Sequence, residues 1–412
     1  MIEPSLPLFF PEALQDLQVL TPRLRALAFS LADLQWLRTV ELASHAQRSA
    51  QTPPMTVENI LLNLPGRDPA PLAGSFMMYP AADGAEAVLY TPYGGLVKFD
   101  DRQALLSTLQ TQLKAATTRS ELSAFMAISR RSALKDDSAL QLSGEVIEGL
   151  VFETQADLLR QNQRANAEEL LGQLEQLPTL TTMLEQFANQ ALRQAMPGVE
   201  QADTRVSYGN GSSLLPDEPF TAAVLRDYLH QPWKMPPARR FSHPHRPPAS
   251  DDASNQGAWE QALKQLSSTL LATLAEELQG YWKTAAGYGM DRRQLFAQLM
   301  SDKTRADLLL KRQSEIISPE QSLALSERLG LGRQGVSAGS SLGQPQKVRL
   351  WETPGHYAEL AASLMVIDDE NAYLYTQASG LQVLDSLADL QQTLSTMVVT
   401  DGHADQLCSL LS

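Results

Sequence analysis

The sequence predicts an α+β protein, predominantly helical, with two small antiparallel β units that are each followed by a helix. Three observations carry this expectation. The stretch Ala87–Asp100 returns near the C-terminus as Ala372–Asp385 at a constant offset of 285, which runs on through Leu105/Leu390, Thr108/Thr393 and Leu109/Leu394. Upstream, Leu72–Met78 answers Leu360–Val366 at an offset of 288, so the two copies differ in length only at a turn, where a chain tolerates it. Across most of the remaining chain, apolar residues recur at helical spacing. Each copy of this internal repeat reads as apolar strand, polar turn, second strand, Gly-centred turn, short third strand and helix.

At 412 residues the chain can bury a sizeable core in two or three packed units. The formal charge of −14 and a pI near 4.9 argue against nucleic acid as a partner, because phosphate binding needs concentrated Lys and Arg. The same balance disfavours adsorption to anionic membrane. A single cysteine, Cys408, excludes an intramolecular disulfide and a Cys-based zinc cluster. Met1–Ser5 lacks the basic start and apolar core of a signal peptide, and no run of about 18 apolar residues exists. A cytoplasmic protein of its producer is expected, exported, if at all, without a cleaved leader, and no stable membrane insertion is expected.

In chain order, Thr21-Pro22 pairs an N-cap hydroxyl with a first-turn proline, and Leu24, Leu27, Leu31, Leu34 and Leu37 follow on one helical face. Thr56 is placed to cap a short helix through Leu64. Residues 1–115 thus hold N-terminal helices and the first β unit. Residues 116–231 read as a helical region: a capping box at Thr118–Glu121, a largely helical stretch over 144–177, an amphipathic helix Leu180–Ala195 stopped by Pro197-Gly198, and a short helix Phe220–Leu229. Residues 232–257 are rich in proline with little to anchor them after Phe241, so a mobile, exposed loop is expected. Residues 258–331 are helical again, with helices Trp259–Trp282 and Asp291–Lys311. Ser318–Gln321 is a second capping box with proline in its preferred place, and Gly330 ends that helix. Residues 332–347 form a Gly/Ser linker, and residues 348–412 the second β unit.

The order Leu177–Leu180, Ser212–Leu215, Tyr281-Trp282, Asp291–Arg293, Ala306–Lys311, Ile317-Ser318 and the Leu374–Leu381 strand resembles the uncharacterised N-terminal-side domain of large proteobacterial dermonecrotic-toxin-like proteins. In that family the closing signature is leucine-tyrosine-threonine-proline, a Gly-containing turn, then an aromatic residue and a leucine-rich helix. Copy one keeps the proline, Pro92; copy two has Gln377. The resemblance implies that residues 178–412 are one whole unit and that residues 1–115 carry the closing part of an earlier one. It implies a virulence or interbacterial-competition setting, and no reaction.

Catalytic residues are therefore unknown from sequence, and neither a cofactor nor a metal site is expected. Asp368-Asp369-Glu370 ends an apolar run in three carboxylates, yet copy one has Tyr79–Glu86 there, which is how a solvated turn varies and a shared metal site does not. His243-Pro244-His245 has the spacing of a chance metal pair among prolines. Tyr208–Ser213 is Gly-rich but is followed by no lysine, and reads as a turn. Arg205 with Ser212-Ser213 imitates an ADP-ribosyltransferase, without the Glu-x-Glu such an enzyme needs; Glu218 lies too close. Tyr90 and Tyr375 read as packing anchors, and Gly95 and Gly380 as positive-φ turn residues. The expected function is a non-catalytic toxin-associated module for delivery, scaffolding or binding of a protein partner: a toxin domain, a delivery component or a host protein. The alternatives are a toxin enzyme of the transferase class, and an adaptor or cognate partner of a larger toxin.

Overall fold

Ser30 opens the first described helix, α1 (Leu31–Leu37). Its hydroxyl accepts from the Asp33 amide at 3.1 Å, and the Asp33 carboxylate accepts from the Ser30 amide at 2.8 Å. Ser30 is itself extended, so this helix begins at Leu31, inside the leucine stripe. The computed structural model describes residues 29–63, 66–82, 84–92, 95–131, 134, 140–208, 217–229, 239–244, 253–313, 316–331, 344–353, 356–359, 363–367, 371–376 and 380–399. Thr21-Pro22, Ser212–Leu215, His245, most of the Gly/Ser linker, Asp368–Glu370 and Cys408 lie outside these residues. The chain divides into two units: one is built from the segments before Leu171 and after Leu295, the other from Leu171–Leu295.

A short helix, α2 (His45–Ser49), carries Arg48, whose side chain is wholly buried. Its guanidinium donates to the carbonyls of Leu42 and Gly149, each at 2.9 Å, and to that of Ile147. Three carbonyls from chain segments about a hundred residues apart are thereby fastened to one cation.

Five strands follow: β1 (Thr56–Asn63), β2 (Ala70–Tyr79), β3 (Ala87–Thr91), β4 (Gly95–Phe99) and β5 (Gln141–Val146), in the antiparallel order β4-β3-β2-β1-β5. The short helix expected from Thr56 is thus a central strand, and the region expected to be helical over 116–231 contributes the edge strand β5. Val57, Ile60 and Leu62 are buried, as are Phe76, Met77 and Met78, so β1 and β2 are covered on both faces. Between the pairs Asn59↔Phe76 and Leu61↔Pro71 the register shifts, with several β2 residues facing one of β1. There the Gly74 amide donates to Gln155 Oε1 at 2.9 Å, and Gln155 Nε2 donates to Asn59 Oδ1 at 2.7 Å, so the bulge is satisfied by a buried side-chain amide.

One face of the sheet packs under α3 (Arg102–Lys114), through Leu105, Leu106 and Leu109 against Ile60, Leu72 and Leu89. After it come α4 (Ala116–Leu122) and α5 (Ile128–Arg131). Thr118 does not cap: its hydroxyl donates to the carbonyls of Gln112 and Ala115, inside the turn that joins α3 to α4. The opposite face packs on α6 (Val151–Leu174), through Phe152 and Leu159 against Val57, Phe76 and Tyr90. The strand that ends at Val146 corrects the expectation of helix from residue 144.

In the second unit, Thr179 caps α7 (Leu180–Ala195), whose limits the sequence predicts residue for residue. A three-stranded sheet, β6 (Arg205–Tyr208), β7 (Glu218–Pro219) and β8 (Arg239–Ser242), has the order β7-β6-β8 and holds α8 (Phe220–Leu229). Next comes α9 (Ala253–Lys283), followed by the two-stranded β9 (Ala285–Gly287) and β10 (Met290–Asp291). The expected loop over 232–257 is corrected at both described places, by β8 and by the first turns of α9. The cause is Phe241, 3% exposed and stacked on Trp259 with ring centroids 5.9 Å apart. Gln256 completes the strand, accepting from the Phe241 amide at 3.0 Å and donating to its carbonyl at 2.9 Å.

The chain returns to the first unit along α10 (Arg292–Gln313), whose Ala306 and Leu309 join the core under β3. The α11 helix (Pro319–Arg328) has the capping box predicted at Ser318/Gln321, and the amides of Gly330 and Leu331 close its end on Glu327 and Ser326. A hairpin of β11 (Arg349–Thr353) and β12 (His356–Glu359) precedes the sheet β13 (Ser363–Ile367), β14 (Ala372–Thr376), β15 (Gly380–Leu384) and the helix α12 (Leu387–Val399). Tyr373, Tyr375 and Leu381 pack against Leu308 and Leu325.

Thr91 pairs with Gly95 and Thr376 with Gly380, and both glycines are left-handed, at φ +63° and +66°. Their surroundings differ. A Cβ on Gly95 meets nothing within 4 Å, whereas one on Gly380 would sit 2.4 Å from Asp307 Oδ2, which Lys303 holds at 2.9 Å. Gly95→Ala is expected to lose about 1–2 kcal/mol from backbone strain alone. Gly380→Ala should melt lower still, because it also displaces Asp307, and the excess should vanish in an Asp307→Ala background. Thermal melts of the four variants check this; equal melting of the two glycine variants in the parent background would contradict it.

Candidate functional site

The densest group of ionisable side chains among the described residues lies in the second unit, on the small sheet and the helices beside it. Tyr208, at the end of β6, donates its hydroxyl to Glu218 of β7. Arg226 of α8 grips the same carboxylate with both teeth, Nε to Oε1 at 3.2 Å and Nη2 to Oε2 at 2.7 Å, while its guanidinium lies 5.4 Å from the Tyr208 ring centroid. Arg239, at the start of β8 with a side chain 1% exposed, donates to Asp227 of α8 at 2.6 Å and to Glu260 of α9 at 2.8 Å. Lys264, one turn on, lies 3.1 Å from the same Glu260.

Three cations, Arg226, Arg239 and Lys264, thus face three carboxylates, Glu218, Asp227 and Glu260. Every carboxylate is answered at hydrogen-bonding range, so the group is charge-balanced and leaves no acid free to exchange a proton with a substrate. Its effect is mechanical: it ties β6 to β7 and α8, and β8 to α8 and α9.

The second candidate is a groove of about 360 Å³ between α7 and α9. Phe187, Ala262 and Leu266 are its buried floor, and Ala191 and Ala258 are half-buried beside them. Gln190 and Gln194 of α7 and Gln261 and Gln265 of α9 are the exposed rims, each pair one helical turn apart, with Thr269 and Thr273 extending the α9 rim. None of the lining residues is charged, in a chain of net charge −14. The shelf beside it on α7 adds Gln186, Asn189 and Arg193. Methyl floor and amide rims suit a packed helix, because the small residues admit a close backbone and the amides both donate and accept.

Of the described residues singled out from sequence, Tyr208 and Glu218 are joined by a hydrogen bond and the others are not brought together. Arg205 is exposed on β6, with Glu218 engaged as above. His243 is 6% exposed and buried in the second unit, with Nε2 4.0 Å from Asp203 Oδ2, and His245 lies outside the described residues. Tyr90 and Tyr375 are buried at 4% and 5%. Among the described residues no cluster of three or more His, Cys, Asp or Glu could hold a metal ion, and no described helix is long and apolar enough to cross a membrane. The groove was not visible in the sequence, since its glutamines occupy the face that an amphipathic helix ordinarily gives to water.

No protein-family model matches the chain, and neither does any curated protein or solved structure.

Replacing Arg239 by methionine leaves Asp227 and Glu260 facing each other without a cation. A loss of about 3–5 kcal/mol is expected, read as a lower urea midpoint, with Arg239→Lys recovering part of it; an unchanged midpoint would refute the lock. A second expectation concerns alkali. Burial and then the Glu218 carboxylate push the Tyr208 phenol well above its ordinary value, and burial pushes Tyr375, and with Glu58 also Tyr79, up to about 12. The folded chain then keeps protons that the unfolded chain sheds above pH 10, so stability is complete below that pH and falls as pH rises through 12. Tyrosinate absorbance followed with circular dichroism should show the last tyrosines ionising together with unfolding. Ionisation of every tyrosine in a still-folded chain would refute this.

Proposed function

We propose that the chain is a non-catalytic, partner-binding module of a bacterial virulence or competition protein. The uncharged groove between α7 and α9 carries this reading. An uncharged groove with amide rims and an apolar floor suits a protein surface. The bacterial toxin setting draws its support from the ordered motifs at Leu177–Leu180, Tyr281-Trp282, Asp291–Arg293 and Leu374–Leu381. These motifs lie at element ends: Tyr281 donates to the Gln173 carbonyl, and Arg292 lies 4.4 Å over the Tyr281 ring while donating to Gln176 Oε1 at 2.6 Å. Such roles belong to a scaffold.

We also infer that the two β units are copies of one ancestral unit. Supporting this, the β3–β4 pairs Ala87↔Phe99 through Thr91↔Gly95 recur in β14–β15 as Ala372↔Leu384 through Thr376↔Gly380, all at the offset of 285. The helices α3 and α12 begin and end at that same offset, and Asp101 and Ser386 cap equivalent amides, those of Ala104 and Asp389. Phe76↔Tyr90 likewise answers Leu364↔Tyr375.

A photo-reactive residue placed at Gln194 in the encoding organism tests the function. The expected result is one dominant cross-linked protein, absent when the same group stands at the exposed Arg160 of α6. Indistinguishable products at the two positions would overturn the reading, and growth arrest on expression of the chain alone would favour a transferase toxin instead.

A further inference from the structure

The geometry points to a strand-accepting edge on the second β unit: the outer side of residues 346–351 takes an extended segment of a partner polypeptide, laid antiparallel. The site belongs to the first unit, not to the α7/α9 groove, and it rests on the reading of the two β units as copies. The correspondence reaches further back than β3 and β14. At the offset of 288, Leu61↔Pro71 and Leu62↔Ala70 of β1–β2 return as Arg349↔Glu359 and Leu350↔Ala358 of β11–β12. Glu58↔Met77 returns as the bridge Gln346↔Met365. Residues 346–351 thus stand where β1 stands, and β12 and β13 answer the two ends of β2. The cores agree: Ile60, Leu89, Leu105 and Leu109 share one cluster, and Val348, Leu374, Leu390 and Leu394 share another.

The copies differ on the other side of that strand. In copy one β1 is central, because β5 runs along it from Glu58↔Val146 to Asn63↔Gln141. Among the described residues no strand runs along the corresponding side of 346–351. Lys347 and Arg349 each keep an interaction within the chain, so what is lacking is the strand and not every contact. Exposure records the same difference. Glu58 and Asn59 are each 7% exposed, whereas Gln346 and Lys347, in their places, face solvent. Leu387 begins α12 where Arg102 begins α3, and it is 41% exposed. An edge of this kind accepts a strand: main-chain hydrogen bonds give affinity, and alternate side chains give specificity.

Copy one also prescribes the occupant. There the added strand is Gln141–Val146, with Gly144 opposite Ile60. Glycine is required at that point because a Cβ would fall 2.0 Å from Glu58 Oε2. The second unit has Gln346 for Glu58 and Leu387 for Arg102, so the residue opposite Val348 is free to carry a large apolar side chain and cover Leu387. The occupant therefore has the alternation of β5 with its glycine replaced by an apolar residue. Gln346 exchanges both main-chain bonds with Met365, each at 2.8 Å, so the amide of an incoming residue opposite 346 points away from the edge and that of the residue opposite 347 points at it.

Two labelled synthetic peptides test this on the full chain by fluorescence anisotropy: Leu140–Ile147 and its Gly144→Leu form. The leucine form should bind saturably and at least tenfold more tightly than the glycine form. Methylating its Glu145 amide, opposite 347, should weaken binding at least tenfold, and methylating its Val146 amide should change little. A photo-reactive residue at the exposed Gln346 should cross-link to the bound peptide. A peptide that instead displaced β5 from the first unit would reverse the order, since leucine would meet Glu58; that order overturns the proposal. So does the absence of any cross-link at position 346, or equal binding by the two methylated forms. The Gln194 photo-probe reports on the groove alone, so either proposal can fail without the other.

Discussion

The first unit is organised by a central strand that is buried on both faces and still carries two polar side chains. Glu58 and Asn59 are adjacent in β1, so they project to opposite sides of the sheet, and each is 7% exposed. A buried polar group without a partner costs about 1–3 kcal/mol, more when charged. Glu58 is answered by Arg102 at the start of α3, with Nε and Nη2 both 2.9 Å from Oε2. Asn59 is answered by Gln155 of α6. The two helices that cover the sheet are thereby fixed in register by polar contacts, while apolar packing alone would have left them free to slide. Gly144 of β5 belongs to the same constraint: a Cβ there would fall 2.0 Å from Glu58 Oε2, so the edge strand must be bare where the carboxylate crosses it.

The second unit solves the same problem differently. Its sheet is too small to be covered on both sides, so an ion-pair network and the Phe241–Trp259 stack hold β8 against α8 and α9. Arg48 in the first unit and Arg239 in the second share a logic: one planar cation with several donors satisfies acceptors from distant parts of the chain, where lysine would reach fewer. The cations used this way are withdrawn from the surface. Arg131 with Asp302, Arg102 with Glu58 and Arg239 with Asp227 and Glu260 all spend positive charge internally.

What the sequence discloses follows from where information is local. The limits of α7 are legible because Thr179 caps it and Pro197-Gly198 lies just beyond its end. The α11 capping box is legible for the same reason. In β1 the reading fails, since Val57, Ile60 and Leu61 fall at helical spacing, and a strand buried on both faces lacks the alternation that would identify it. Its polar residues are made tolerable by Arg102 and Gln155, forty-four and ninety-six residues away. Thr118 looks like a cap because a hydroxyl three residues before a glutamate is a local pattern; the turn after α3 claims that hydroxyl first. Phe241 was legible as an apolar residue, but its anchoring role depends on Trp259. The groove is the extreme case. Gln190, Gln194, Gln261 and Gln265 are individually ordinary surface residues, and they become a surface of one chemistry only when α7 and α9 lie side by side.

Charge placement then gives that surface its weight. Internal ion pairs consume arginines from a composition that is already acidic, which leaves a preponderance of carboxylates among the groups facing water. Like-charged exteriors resist close approach over roughly a Debye length, about 8 Å at physiological salt, so contact is favoured where that exterior is interrupted. An amide and methyl face contributes little to attraction at long range and gains its free energy only after water is expelled. Under the partner-binding proposal, recognition by such a face selects for shape, through the floor of Phe187, Ala262 and Leu266 and the amide rims. The network on β6–β8 supports this indirectly, because Glu260 and Lys264 sit on the same stretch of α9 as Gln261 and Gln265. The salt link from Arg239 to Glu260 ties that stretch to the sheet.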